Sequence, residues 1–571
     1  MTEQQRLQQW LDSPCIDDAT KNELRALNDP AEIKDRFGRD LSFGTAGLRG
    51  ILGAGTNRMN VYTVGRATQG LADYLNEQAQ GASVAIAYDS RLFSPEFAQT
   101  AACVLAANGI TVHLFDELMP TPVLSYTVRA LHCTAGIVIT ASHNPAAYNG
   151  YKVYGADGCQ IGPDVADAVL ARIDALTDFT QVQTMPYDQG RAQGLICIIG
   201  DAVIDGYLQA VHRLYQLNNP QAMANLRVVY TPLNGTGKRC VLAALHNIGV
   251  NDITLVPEQA EPDGHFPTCP SPNPELREAL EKGLELCERV QPDLLLATDP
   301  DADRMGVAVH DGTDYVLLTG NEIGVLLFDY VCRVKQARGA LPQDPIVVST
   351  IVSTPMLDVV AAHYGAHVIR TLTGFKFIGE QISLLEEKGE TERFLFGFEE
   401  SYGFLSGAHV RDKDAVNASQ LLCEAAAYYK TQGQTLYDAM QSLYQAYGFY
   451  RARTLSFAFA GVAGMETMAR IMEQFRHCPP LTICGKEVVE RSDYQTRERI
   501  RGAERTVIAL PKSNVLAYTL IDGSTCILRP SGTEPKLKLY LCAKAGSSAA
   551  ADAVLDALQA DMSAAIQAVQ A

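Results

Sequence analysis

The chain has 571 residues, 47% of them hydrophobic and 20% charged, with a formal net charge of −18. Such a length allows roughly three to five domains, and the composition is that of a globular protein with apolar residues for several cores. The acidic balance excludes a general affinity for nucleic acid or an anionic membrane, because both require a basic face; it leaves room for a small phosphorylated substrate held by local cations.

The amino terminus, MTEQQRLQQWLDS, lacks the apolar region of a signal peptide, and no apolar stretch is long enough to span a bilayer. A cytoplasmic location is therefore expected. The 14 cysteines include no CxxC pair. Cys103, Cys133 and Cys423 sit in apolar runs and read as buried free thiols of a reducing compartment.

From residue 83 the chain shows one layout three times. SVAIAYDSR (83–91) is an apolar strand running into a polar turn, followed by a helix ending at Gly109, a second strand (ITVHLF), and a buried strand GIVIT that runs into ASHNP. LRVVYTPLNGTG (226–237) opens the second copy, whose helix ends near Gly249 and whose strand DLLLA runs into TDPDADR. PIVVSTIVST (345–354) opens the third, whose helix ends near Gly365 and whose strand RFLF runs into GFEES. Short apolar strands alternating with amphipathic helices predict α/β domains with sheets covered on both faces. Ligands of such sheets bind beyond the carboxyl ends of strands.

Each copy ends on a loop with chemical potential. Ser142 sits in a turn punctuated by Asn144-Pro145 and Asn149-Gly150, which can hold a hydroxyl outward as a nucleophile or spend it on local hydrogen bonds. His143 beside it would face away in an extended backbone, and there is no GxSxG, so a Ser-His hydrolase is disfavoured. Lys152 is a candidate acid/base or charge partner, or a surface lysine. Asp299, Asp301 and Asp303 would repel one another without a cation, and a hard ion such as Mg²⁺ suits them. An EF-hand is excluded, since Arg304 and His310 occupy the positions that need Gly and Glu. Arg304 either balances charge or reaches a phosphate. Glu399 and Ser401, two apart, would face the same way in extended chain and could grip vicinal sugar hydroxyls. The neighbouring RDKD (411–414) serves the site or solvates a helix start. GTGKR (235–239) lacks Walker spacing.

After about residue 450 the pattern changes to strands joined by turns, with a helix around 463–477, a hairpin signal at Asp522-Gly523 and an Ala-rich helix over 548–570. There Arg529, Ser531, Gly532 and Thr533 form an anion-binding turn, with a bidentate fork, two hydroxyls and a glycine that lets backbone N–H groups approach. The expected fold is α/β: three similar domains with mixed sheets and a smaller α+β carboxyl-terminal domain. The expected boundaries are 1–205, 206–320, 321–450 and 451–571, with 178–200 the best linker candidate.

Taken together, TASHNP, DPDADR, GFEES and RPSGTEP, with GTAGLRG (44–50), resemble the α-D-phosphohexomutase superfamily in motif and order over residues 44 to 540. The resemblance implies four domains around a central cleft, Ser142 as a phosphorylated nucleophile, and one Mg²⁺ held by Asp299, Asp301, Asp303 and a phosphoserine oxygen. It further implies that Lys152 and Arg49 serve proton transfer and phosphoserine contact, and that His143 is auxiliary. Glu399, Ser401 and, by a weaker match in TLTGFKFIG, Lys376 would bind sugar; Arg529, Ser531 and Thr533 would hold the non-reacting phosphate. GFEESYGF with RDKDAV is most similar to the phosphoglucomutase and phosphopentomutase branch, so interconversion of glucose 1-phosphate and glucose 6-phosphate through glucose 1,6-bisphosphate is expected. Phosphopentose interconversion, a phosphomannomutase, a Mg²⁺-dependent sugar phosphatase and a non-enzymatic sugar-phosphate sensor are the alternatives. The expected partner is a small phosphosugar, with the chain a monomer or homodimer.

Overall fold

The computed structural model describes residues 1–44, 47–459, 461–531 and 536–570. Three helices (Glu3–Asp12, Asp18–Arg25 and Pro30–Phe37) precede the first strand and close around Trp10, whose ring meets those of Phe37, Tyr62 and Phe179 edge-on.

The first sheet contains β1 (Leu48–Ile51), β2 (Ser83–Tyr88), β3 (Thr111–Leu114), β4 (Ala135–Ile139), β5 (Tyr148–Gly155) and β6 (Ile196–Ile198), in the order β1-β5-β4-β2-β3-β6. The second contains β7 (Arg227–Thr231), β8 (Asp252–Leu255), β9 (Leu294–Thr298), β10 (Met305–His310) and β11 (Tyr315–Leu317), in the order β11-β10-β9-β7-β8. The third contains β12 (Ile346–Thr350), β13 (His367–Thr371), β14 (Phe394–Glu399) and β15 (Gly403–Ser406), in the order β13-β12-β14-β15.

The repetition is now visible as topology. In each sheet the strand that opens the repeat (β2, β7 or β12) is interior and pairs in parallel with the repeat's second strand on one side and the site strand on the other. The site strand then turns back antiparallel, as β4 into β5, β9 into β10 and β14 into β15. Every residue of β4, β9 and β14 is buried, because helices cover both faces of the sheets. The helices end on left-handed glycines, Gly109, Gly249 and Gly365, at the positions read from the sequence.

One expectation is corrected. The stretch 178–200 is not a linker: it contains the helix Tyr187–Ala192 and β6, which adds to β3 in parallel. Its polar residues are the exposed turns of that excursion, while Ile196 is buried.

The fourth sheet is antiparallel: β16 (Phe449–Ala458), β17 (Thr482–Ile483), β18 (Lys486–Asp493), β19 (Glu498–Arg501), β20 (Glu504–Val507), β21 (Leu516–Leu520), β22 (Thr525–Pro530) and β23 (Lys536–Ala545). Gly523, at φ +87°, turns β21 into β22 as the Asp-Gly signal predicts. Helices Gly461–His477 and Ser548–Gln570 accompany this sheet. It meets the third domain through an apolar seam in which Val352 and Leu372 pack with Tyr494, Val515, Ile527 and Tyr540.

Candidate active site

The aspartate turn is stitched by backbone hydrogen bonds to the domains on either side of it. Thr121 N–H donates to Asp301 O (2.8 Å), Met305 N–H to Tyr402 O (3.1 Å) and Ala415 N–H to Ala302 O (3.2 Å). These bonds cross from the first domain to the second and from the second to the third, so the backbone of the aspartate turn is held from both neighbouring domains.

Ser142 lies in the β4–β5 turn at φ +51°, and only 4% of its surface is exposed. Its N–H donates to Thr140 Oγ1 (2.8 Å) and its Oγ donates to Asp299 Oδ2 (2.7 Å). The left-handed backbone also overturns the expectation that His143 faces away: His143 Nδ1 is 3.2 Å from Ser142 Oγ. Burial, followed by Arg304 and Arg49, depresses the His143 pKa well below its ordinary value, so the ring is neutral.

The aspartate triad occupies the turn between β9 and β10, with Ala302 left-handed at φ +49°. One oxygen from each carboxylate lies within 4.8 Å of the others, and all three residues are buried. Asp299 Oδ1 accepts from the N–H groups of Asp303 (3.1 Å) and Arg304 (2.9 Å), while Asp301 Oδ1 and Asp303 Oδ1 are buried without a hydrogen-bond partner. Buried anionic oxygens with no donor are the donor set a hard cation requires, so the residues fit a divalent metal.

Two lysines face the triad. Lys152, 5% exposed, is no surface residue: its Nζ donates to Asp301 Oδ2 (2.8 Å) and lies 3.6 Å from Asp303 Oδ2. Burial opposes its charge, but Asp301 and Asp303 outweigh that and hold its pKa above the ordinary value. Conversely, burial works to raise Asp301, and Lys152 reverses it to well below the carboxylate range. Asp299, without a lysine, is pushed up by burial and by its two neighbours. Lys413 Nζ is 3.1 Å from Asp303 Oδ2 and 3.0 Å from Asp412 Oδ1. Lys413 had only a general signal in sequence, the charged RDKD run; its place beside Asp303 comes from the docking of the third domain on the second.

Arg49, on β1 opposite Gly150 of β5, is exposed and close enough to contribute to the electrostatics of Lys152 and His143. Arg304 Nη1 pairs with Glu275 Oε1 (2.6 Å), with its Nε buried and unbonded 3.9 Å from Asp303 Oδ1. Glu399 ends β14, buried, and accepts from Gly374 N–H (2.7 Å). Ser401 does not share its extended backbone: the strand stops at Glu399 and a turn follows, with Tyr402 at φ +64°. Lys376 Nζ packs 5.0 Å over the Phe377 ring and its carbonyl accepts from Cys159 Sγ. Arg529 lies on β22 opposite Lys538, and Ser531 N–H donates to Lys536 O (2.7 Å). Gly532 and Thr533 lie outside the described residues. Arg529 and Glu400 both act on the Tyr540 hydroxyl, whose pKa burial raises to about 12, so Arg529 and Tyr540 of the fourth domain lie near Glu400 of the third.

Models of the phosphoglucomutase/phosphomannomutase family match in succession: alpha/beta/alpha domain I over residues 40–179, domain II over 205–312, domain III over 319–447 and the C-terminal domain over 487–560. The chain belongs to this family. It is 38% identical over 535 residues to a phosphoglucomutase of Staphylococcus epidermidis (strain ATCC 35984), covering 93% of this chain and 95% of the relative. Among solved structures it resembles a phosphoglucomutase/phosphomannomutase family protein of Burkholderia thailandensis (TM-score 0.66, 20% identity, covering 92% of this chain and 97% of that one). It also resembles pp63/parafusin, a phosphoglucomutase of Paramecium in its open form (TM-score 0.68, 18% identity, 93% and 95%). As a phosphoglucomutase/phosphomannomutase family member the protein is a mutase acting on small phosphosugars, and its triad fits a divalent metal. Among the described residues no helix is long and apolar enough to cross a membrane.

Proposed function

We propose that the protein interconverts α-D-glucose 1-phosphate and D-glucose 6-phosphate through phosphoserine at Ser142 and a glucose 1,6-bisphosphate intermediate. The observation that carries this reading is the Ser142 hydroxyl 2.7 Å from Asp299, in a triad with two partnerless buried oxygens, facing Lys152 and Lys413. The name of the 38% identical relative supports glucose as the sugar.

In the proposed cycle the free sugar hydroxyl attacks the phosphoryl on Ser142; a P–O bond to the sugar forms as the bond to Oγ breaks. A proton passes overall from the sugar hydroxyl to Oγ. Lys152, kept charged by Asp301 and Asp303, is the acid beside the triad, and neutral His143 is a second carrier 3.2 Å from Oγ. Asp299, Asp301 and Asp303 would hold one Mg²⁺ with Ser142; bound there, it supplies charge to the phosphoryl oxygens. Arg49 and Arg304 contact the phosphoryl group, and Glu399 and Ser401 the sugar. Arg529, Ser531, Gly532 and Thr533 bind the distal phosphate. The bisphosphate then turns over and returns its other phosphoryl to Ser142. In this reading residues 1–205 carry the nucleophile, 206–320 the metal, 321–450 the sugar grip and 451–571 the phosphate grip, in the cytoplasm.

The test supplies Mg²⁺ and a trace of glucose 1,6-bisphosphate and compares kcat/KM for glucose, mannose, ribose and glucosamine 1-phosphates. Glucose 6-phosphate formation with the highest kcat/KM is expected; release of inorganic phosphate without glucose 6-phosphate would make the protein a phosphatase instead.

A further inference from the structure

The nucleophile's turn is held by a residue outside the reacting groups. Arg91, in the turn after β2, has a fully buried side chain. Its guanidinium donates to four carbonyls of the serine turn: Nη2 to Ser142 O and to Asn144 O (2.5 Å), Nη1 to Pro145 O and Tyr148 O (both 3.0 Å). These carbonyls bracket the turn from the nucleophile to the start of β5. A left-handed serine is strained, and such a backbone persists only where its surroundings over-determine it.

The guanidinium is itself fixed on its other sides. Asp89 lies 3.4 Å from Nε and is equally buried. Asp89 Oδ1 accepts from Arg91 N–H and Ser94 Oγ, both at 2.9 Å. Phe266, from the second domain, lies over the guanidinium at 5.0 Å, and Gly264 beside it is so close to Ser90–Leu92 that an added Cβ would meet Leu92 N at 2.6 Å. From the same second-domain loop, Ser271 Oγ donates to His143 O (3.0 Å). Lysine could keep the charge opposite Asp89, but one ammonium cannot serve four carbonyls spread over a turn; only the planar fork does that.

We propose that Arg91 is a positioning residue for phosphoryl transfer: it fixes the left-handed Ser142 turn against the second domain, so that Oγ keeps its place beside Asp299. The proposal rests on the phosphoserine reading above. Because the side-chain contacts of Arg91 among the described residues are to the serine turn, Asp89 and Phe266, its loss acts on kcat and spares KM. A displacement of about 1 Å at a reacting atom costs on the order of 100-fold in rate.

The experiment compares Arg91→Lys with wild type in three readouts: thermal unfolding, kcat and KM for glucose 1-phosphate, and phosphoryl uptake by Ser142 from glucose 1,6-bisphosphate counted by intact-protein mass spectrometry. The expected result is a cooperatively folded variant whose kcat and uptake rate fall about 10- to 100-fold with KM within about twofold. Asp89→Asn, equal in shape, is the second variant; it removes the charge that aligns the guanidinium, and a kcat-only loss is expected there too. If Arg91→Lys does not fold, Asp89→Asn decides alone. Wild-type kcat in the folded variants, or a loss confined to KM, overturns the positioning role. Failure of wild type itself to take up phosphoryl on Ser142 would instead overturn the phosphoserine reading.

Discussion

Gly235 is the sharpest point at which a small change should reach the metal turn. It opens the GTG of residues 235–237, and a Cβ there would stand 2.3 Å from Pro300 Cα and 2.5 Å from Pro300 O. Bringing the nearer contact from 2.3 Å to the ordinary 3.4 Å requires the backbone between Asp299 and Asp301 to retreat by about 1.1 Å. It cannot retreat freely, because Thr236 N–H (2.8 Å) and Thr236 Oγ1 (2.9 Å) both hold Pro300 O. Gly235→Ala should therefore displace the triad relative to Ser142 and overpack a buried turn. The expected effect is a fall in kcat/KM of about 100-fold from misplacement, with a stability loss of about 1–3 kcal/mol from overpacking. Glucose 6-phosphate formation coupled to a dehydrogenase, Mg²⁺ titration by calorimetry and thermal unfolding would measure the three consequences on one preparation. A folded Gly235→Ala protein with wild-type kcat/KM and wild-type Mg²⁺ affinity would refute the reasoning.

Ser142→Ala should remain folded yet take up no phosphoryl from glucose 1,6-bisphosphate, as read by intact mass; wild-type turnover would remove Ser142 from the mechanism. Lys413→Met leaves Asp303 and Asp412 without their shared cation. A stability loss of about 3–5 kcal/mol is expected for breaking a buried pair, together with a fall of at least about tenfold in kcat/KM from the lost cation. Unfolding midpoints and initial rates check both. Glu424, buried against Tyr330 and the N–H groups of Gln216 and Leu217, has its carboxyl pushed up to about 7, chiefly by burial. The folded chain keeps that proton longer than the unfolded one, so its stabilisation is complete below about pH 4.5 and is lost as pH rises through about 7. That loss is about 3 kcal/mol. Glu424→Gln should flatten the thermal-midpoint profile over this window, and parallel profiles for variant and wild type would contradict the shift.

The strands and their order were legible because β4, β9 and β14 are buried on both faces and read as uninterrupted apolar runs ending at polar turns. The triad was legible because three carboxylates in five residues are costly without a cation, wherever the fold puts them. Lys413 was not legible as a triad partner, since a lysine in RDKD is equally a solvated residue until a fold sets it 3.1 Å from Asp303. Nor was the Ser142–His143 contact: local pattern favours extended chain, and it took Arg91 and the second domain to hold the serine left-handed.

By itself, then, the sequence determined the repeated α/β units, the turns that carry chemistry and the residue types in them, because hydrophobic periodicity and like-charge repulsion are local. Tertiary structure decided which charges neutralise which, and that the polar stretch 178–200 ends in a sixth strand. Those outcomes depend on the relative placement of segments far apart in the chain, where desolvation makes a pairing decisive and no local pattern records it.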